Sequence, residues 1–264
     1  MRRYEIRAMS LGEMLDGGLW LLRDHARVLV GAAAVLHVPM ALLLTAWPLL
    51  HVSITLMALV FPLVHAVVTW TVGEVYLGRP VSVPSALRAV WSLLLPLTGT
   101  MLLVWLFFAI AVTVIMLASV ITGMVVGRFG AAAAVIVTAP AFFIYLGLIF
   151  ALLAPVMVIE RTFGPRALRR SRDLLRGSGG RALGAYLAGS VLVNVLSGVV
   201  QMALERVPVL GPIGIGLARA AGVAYTSAVL VLLYFDIRCR KEAFDLEHLA
   251  QLVAREPPAT PALA

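Results

Sequence analysis

From Val28 to Gly73 the chain runs for 46 residues without one Asp, Glu, Lys or Arg. A helix crosses the roughly 30 Å hydrocarbon core of a bilayer in about 20 residues. The run is too long for one crossing and fits two, at about 28–48 and 52–74, with Pro48 to His51 as the turn. Composition agrees: 62% of residues are apolar and 13% charged, against about 45–50% and about 25% in a soluble domain. A water-soluble globule is excluded, and disorder, which requires low hydrophobicity, fails on the same figures. The expected fold is all-α, a polytopic membrane protein.

The later uncharged runs extend the count. Ala89–Gly127 holds a connecting helix around Pro96 and a crossing at 97–124. Phe129–Ile159 holds a fourth at 130–155, kinked or broken at Pro140 and ended near Pro155, because proline lacks the N–H that a helix interior requires. Ala182–Leu204 is the fifth, and 217–235 the sixth, with the Gly/Pro-rich stretch from Pro208 to Gly216 as a loop or short re-entrant piece. Six crossings place both termini on one side. Of the 21 basic residues, 18 fall on that side, Arg128 and Arg206 on the other, and Arg219 within the last helix. The positive-inside rule then makes both termini cytoplasmic. Twenty of the 21 basic residues are Arg, the mark of a GC-rich, bacterial genome, so the expected location is the bacterial inner membrane. Residues 1–27 carry nine charges and no apolar stretch, so no cleavable signal peptide is expected.

The cytoplasmic segments read as structured. Ser10-Leu-Gly-Glu13 matches a capping box. Leu11, Leu15, Leu19 and Leu22 share the face of an amphipathic interfacial helix over 10–25. Pro84-Ser-Ala-Leu-Arg88 and Pro165-Arg-Ala-Leu-Arg169 match at four of five positions, each with Pro suited to a first helical turn. An interfacial helix plus two crossings, three times over, is the repeat this layout suggests. A charged helix at 236–253 completes a single membrane domain over 1–256, before a disordered tail at 257–264.

Chemical motifs are few. The chain has no phosphate-binding loop, no His-Glu-x-x-His and no Gly-x-Ser-x-Gly. Its single cysteine, Cys239, excludes an internal disulfide and a cysteine-based metal centre. No metal, cofactor or nucleic-acid partner is expected. Polar residues inside a bilayer are the default functional candidates, and here they are His37, His65, Glu74, Asn194, Gln201 and Arg219. His37 and His65 sit at equal depth if the first hairpin turns at His51. They are read either as a proton-relay or metal pair, or as neutral rings bonded to carbonyls freed by Pro39 and Pro62. Asn194 and Gln201, seven apart, share a helix face suited to interhelical hydrogen bonds, and Gly123-Met-Val-Val-Gly127 has the spacing of close helix approach. At the inner rim, Glu13, Glu74, Arg79, Glu160, Asp236, Arg238 and Arg240 form either an ion-pair belt or a headgroup site. Arg166, Arg169, Arg170, Arg172 and Arg176 are candidates to contact anionic lipid or a partner chain.

Ser10-Leu-Gly-Glu-Met-Leu-Asp16, Tyr76-Leu-Gly-Arg-Pro80, Val158-Ile-Glu160 with Ala167-Leu-Arg-Arg-Ser171, and Tyr234-Phe-Asp-Ile-Arg238 with Arg240-Lys-Glu-Ala-Phe-Asp245 occur in that order. Together they resemble the bacterial membrane-domain family named after glycerophosphodiester phosphodiesterase. In some relatives this region accompanies a TIM-barrel phosphodiesterase that uses a His-Arg pair, a Glu-x-Asp pair and a further His. This chain has neither a His-Arg nor a Glu-x-Asp pattern, nor room for a barrel of about 250 residues. The resemblance therefore implies a stand-alone member without the catalytic domain.

The expectation is a non-enzymatic organising or accessory subunit whose Arg-rich inner face holds anionic lipid, a partner protein or a second copy. A small-solute or lipid transporter is the alternative, supported by helices broken at Pro39, Pro62, Pro140 and Gly211–Gly216. A membrane-associated phosphodiesterase accessory is a third reading.

Overall fold

A computed structural model of the chain describes residues 7–46, 50–204, 207 and 210–246. Among them the secondary structure is helical, with no strand. The order is α1 (Leu11–Asp24), α2 (Ala26–Ala46), α3 (Leu50–Tyr76), α4 (Val83–Trp91), α5 (Leu94–Val126), α6 (Arg128–Ala151), α7 (Leu153–Ile159), α8 (Pro165–Leu175), α9 (Gly179–Leu204) and α10 (Leu210–Glu242). Four helices among the described residues contain stretches long and apolar enough to cross a membrane: Ala26–Leu43, Leu94–Val126, Gly179–Leu204 and Leu210–Glu242.

These four fall into two kinds. The apolar window of α10 is 83% buried, whereas those of α5 and α9 are each 6% buried. α10 is the central pillar, packed by α2, α9, α1 and α3. Its inner stretch is built from Ala220, Ala224, Ala228, Val231 and Leu232, small and medium side chains that let neighbours approach closely. α5 and α9 instead turn Leu106, Ile110, Val114, Leu117, Val191, Val195 and Val199 outward. A soluble monomer rarely exposes so continuous an apolar surface, whereas lipid tails cover it without cost.

Several elements depart from the reading of the sequence. The Gly/Pro stretch before 217 is not a loop: α10 starts at Leu210 and includes Gly211, Pro212, Gly214 and Gly216. Pro212 sits in the first turn, where its missing N–H has no intrahelical partner to lose. The glycines answer to packing. A Cβ on Gly216 would lie 3.0 Å from the Val38 main chain of α2, and one on Gly211 or Gly214 would run into Leu204 at the end of α9. Pro140 lies within α6, and the break comes later, at Leu152. Pro155 is the reason, since its ring conflicts with the carbonyl four residues back, that of Ala151. Gly127 is no helix-packing glycine: with φ 86° it ends α5, its N–H donating to the Gly123 carbonyl. The separate helix expected from Asp236 is the end of α10, which stops where Ala243 takes φ 50°. Leu50 and His51, expected in the first turn, instead open α3; residues 47–49, 247–253 and 257–264 lie outside the described residues.

The expected helix starts hold. Ser10 accepts from the Glu13 N–H and Glu13 accepts from the Ser10 N–H, a complete capping box. Both Pro-x-Ala-Leu-Arg segments open helices, α4 behind a second box made by Ser82 and Ser85, and α8 behind Gly164. The buried stripe of α1, however, is Met14, Gly18 and Leu21, while Leu11 and Leu19 point outward. Bare Gly18 lets α1 press onto Val229 and Tyr225 of α10, an attraction that a count of leucines does not reveal.

Candidate functional site

Two polar regions occupy different levels of the bundle. The first is the charged end, where α1 begins and α3, α7 and α10 finish. Asp236 is fully buried. Its carboxylate accepts from the Met9 main-chain N–H at 2.7 Å, Arg181 Nε at 2.8 Å and Arg240 Nε at 3.0 Å. Both arginines also donate to the Met9 carbonyl. Two guanidiniums and one carboxylate thus grip both main-chain groups of one residue ahead of α1.

A second cluster lies nearby. Arg170 pairs with Glu160 at 2.9 Å and with Glu242 at 2.5 Å, and Glu242 pairs with Arg238 at 2.7 Å. The Tyr234 hydroxyl donates to Glu160 at 2.8 Å, and the Arg238 guanidinium lies 4.1 Å from the Phe244 ring centre. Phe244 stacks on Phe235, which stacks on Tyr76. Two carboxylates and their hydrogen bonds hold the Arg170 guanidinium well above its already high ordinary pKa, so it stays charged. Lys241 Nζ donates to the carbonyls of Asp173 and Arg176 at 2.8 and 2.5 Å. It thereby caps the C-terminal end of α8, where a cation complements the helix dipole.

The seven rim candidates therefore divide among separate groups rather than one continuous belt. Glu160, Asp236, Arg238 and Arg240 are in the two clusters, Glu74 pairs with Arg79 at 3.0 Å, and Glu13 pairs with Arg7 at 2.6 Å. Arg181, Glu242, Tyr234 and the Met9 main chain complete the clusters; only their position in the fold identifies them. Arg170, grouped by sequence with the surface arginines, is instead an internal ion-pair partner. Arg166, Arg169, Arg172 and Arg176 do lie on the exposed face of α8, whose opposite side buries Ala167, Ser171, Leu174 and Leu175.

The second region is an open-sided cavity of about 1030 Å³ midway along the bundle. It forms because the α5–α6 pair stands off the α9–α10 pair: α5 packs on α6 and α3, and α6 on α9. His37 of α2, His65 of α3, Asn194 and Gln201 of α9 and Arg219 of α10 all line it. Five polar residues from four helices thus meet one space. The equal depth expected of the two histidines is not found: the His37 main chain lies against Gly216 of α10, whereas His65 meets Ser227, eleven residues nearer the charged end. Their partners differ from expectation. His37 Nδ1 lies 3.2 Å from the Ala33 carbonyl, one full turn back rather than at the carbonyl freed by Pro39. A carbonyl can only accept, so Nδ1 of His37 carries a proton. His65 Nδ1 reaches across to the Ser227 hydroxyl of α10 at 3.2 Å. Asn194 bonds within its own helix, to the Ser190 carbonyl at 2.7 Å, while Gln201 accepts from Arg219 Nη2 at 3.4 Å. Glu74, the sixth intramembrane candidate, lies at the charged end with Arg79.

The rest of the wall is mostly apolar. Met101, Val104, Trp105 and Phe108 come from α5, Leu153 and Met157 from α7, and Tyr186 and Val193 from α9. None of these stands out in a uniformly apolar sequence. No group of three or more metal-binding side chains occurs among the described residues. A long apolar space with few polar groups is the chemistry of an amphiphile site.

A family model described as "Domain of unknown function (DUF8558)" matches residues 35–239. That range begins within α2 and stops three residues before the end of α10, taking in the cavity lining and most of the charged clusters. Neither a curated protein nor a solved structure matches the chain.

Proposed function

The chain belongs to the DUF8558 family, and we propose that it is a non-enzymatic membrane protein that holds a lipid-like amphiphile in its central cavity. One observation carries the reading: polar side chains from four helices converge on a space whose other walls are apolar and whose side is open. A soluble metabolite would call for more polar groups, and a catalyst for nucleophile, acid and base in register.

The proposed threading has six crossings, α2, α3, α5, α6, α9 and α10, with α4 and α8 at the cytoplasmic interface of a bacterial inner membrane and α1 packed along the cytoplasmic half of α10. The distribution of arginine supports this orientation. Apart from the seven-residue α7 after the second pair, the succession of one short helix and two long ones, three times along the chain, supports a threefold repeat. Cys239, the only thiol, should resist a membrane-impermeant maleimide added to intact cells and react after lysis; labelling from outside would reverse the topology. The resemblance to the glycerophosphodiester phosphodiesterase membrane domains fits a lipid-facing role without hydrolysis.

Native mass spectrometry of the full chain, gently extracted, tests the cavity reading. One retained lipid per chain is expected, and Ser197→Trp, which fills the cavity from α9, should lose it while keeping its helical circular dichroism. A lipid-free wild type, or undiminished retention by the variant, would refute the reading. The exposed arginines of α8 favour a second role, as an accessory subunit that docks on anionic lipid or a partner chain. A stoichiometric second protein in the same spectrum would favour that role.

A further inference from the structure

The far end of the cavity holds a cation whose position is specific. Arg219 lies nine residues inside α10, about 14 Å along the axis from Leu210 at 1.5 Å per residue. Its guanidinium meets Gln201, which lies three residues, about 5 Å, from the end of α9 at Leu204. The side chain therefore climbs from a deep Cα to a level within one turn of the helix end, as arginines do at a bilayer boundary. Its hydrogen-bond partner there is a neutral amide at 3.4 Å. Among the described residues no carboxylate pairs with it, and none lines the cavity. A guanidinium has five donors in a planar fork that matches phosphate and carboxylate.

Below that level the cavity continues toward the charged end. From Arg219 to Leu230, both on its wall, is eleven residues, about 16 Å along α10. Val104, Phe108, Leu153 and Met157 give the same cavity apolar wall, and His65 and Thr69 also line it. A guanidinium at the mouth and a long apolar space beneath it suit one kind of molecule, an anionic amphiphile.

Resting on the reading of the cavity as an amphiphile site, we propose that its occupant is an anionic lipid of the outer leaflet. The headgroup phosphate is held by Arg219 with Gln201 beside it, and an acyl chain descends toward Leu230. The headgroup then stays at its ordinary interfacial depth, and only the chain leaves the bulk lipid. Among the described residues the charge at Arg219 has no carboxylate partner, and the ligand's phosphate supplies one.

Native mass spectrometry of the full chain in micelles doped with equal amounts of dioleoyl phosphatidylglycerol and dioleoylglycerol tests this, because the two share their chains and differ in the phosphate. Charged hydrogen bonds of this kind are worth about 1.5–3 kcal/mol, so wild type should favour the phospholipid by about tenfold or more. Arg219→Gln should bring the ratio near one, and Arg219→Lys should keep part of it, which guards against a variant that merely misfolds. Oleate competing as well as the phospholipid would keep the anionic amphiphile and assign a carboxylate. Displacement of the phospholipid by excess inorganic phosphate alone would reduce the site to an anion site and overturn the proposal. Equal preference in wild type and Arg219→Gln would overturn it too, as would a preference lost only when Arg166, Arg169, Arg172 and Arg176 are all changed to Gln. Retention of neither lipid by wild type would instead refute the amphiphile reading itself.

Discussion

Changing Asp236 to Asn removes one charge and almost no volume, so its effect measures the ion cluster that binds α1 to α10. Asp236 is fully buried and accepts from Met9 N–H, Arg181 and Arg240. Removing one partner of a buried pair costs about 3–5 kcal/mol, because the charge left behind has lost its water and its counterion. The arginine side chains retain 30% and 44% of their exposure, so the stranded cations recover some hydration and the cost falls at the low end, about 3 kcal/mol. That is a large part of a total stability of about 5–15 kcal/mol. The assay is reversible unfolding by SDS titration in mixed micelles, followed by circular dichroism. Deleting all three charges, as Arg181→Met, Asp236→Leu and Arg240→Met together, strands no ion and should cost about as much as the single change. Its main loss is the unpaired N–H and carbonyl of Met9, about 1–3 kcal/mol each. A cost below about 1 kcal/mol for Asp236→Asn, or a triple variant far less stable than the single one, would refute the account.

Other outcomes follow from the same geometry. Glu13 is held down to about 2, first by the Ser10 main-chain N–H and then by Arg7. A lowered folded pKa gives stability that is complete above the ordinary carboxylate range and lost as pH falls toward 2. The protection factors of the amides at the start of α1, which divide out the intrinsic pH dependence of exchange, should therefore hold at pH 5 and fall only in strong acid, with no such step in Glu13→Gln; a fall near neutral pH would contradict this. Arg170→Gln should lower the SDS midpoint by breaking pairs to two carboxylates, while Arg169→Gln with Arg172→Gln should leave it unchanged. The latter pair should instead weaken retention of anionic lipid at the surface, by about 1 kcal/mol per charge. Identical behaviour of the two sets would show that Arg170 is no different from its neighbours. Gly216→Val should destabilise by about 1–3 kcal/mol or more, since even a Cβ there lies 3.0 Å from the α2 main chain; a neutral result in the same titration would mean α2 and α10 can separate freely.

The uncharged runs made the long helices legible to within a few residues, because the rise per residue and the thickness of a bilayer leave little choice. The start of α10 was not legible. Gly211, Pro212, Gly214 and Gly216 carry the local signature of a loop, and their helical state depends on Leu204 and Val38, partners that only the tertiary structure supplies. Pro155 was visible as a breaker, yet its effect falls at Leu152, because the conflict is with a carbonyl one turn earlier. In the candidate site, intramembrane polarity picked out His37, His65, Asn194, Gln201 and Arg219, which share one cavity. Arg170 was misassigned because residues 166–176 alternate between buried and exposed faces with a helical period, and composition gives every arginine there the same weight. Trp105, Phe108 and Tyr186 carried no signal, being aromatic residues in a chain that is 62% apolar.

The grip on Met9 bears on the timing of assembly. Met9 and Asp236 are 227 residues apart, and ribosomes add about 5–20 residues per second. The start of α1 therefore waits about 10–45 s for its partner to be made. During that interval α2 and α3 also lack α10, the helix that fills the space beside them. The early segments cannot mature as independent hairpins; they are held open until the pillar is inserted. A ribosome that stalls before Asp236 leaves a nascent chain whose Met9 main chain has no clasp and whose early helices lack their central neighbour.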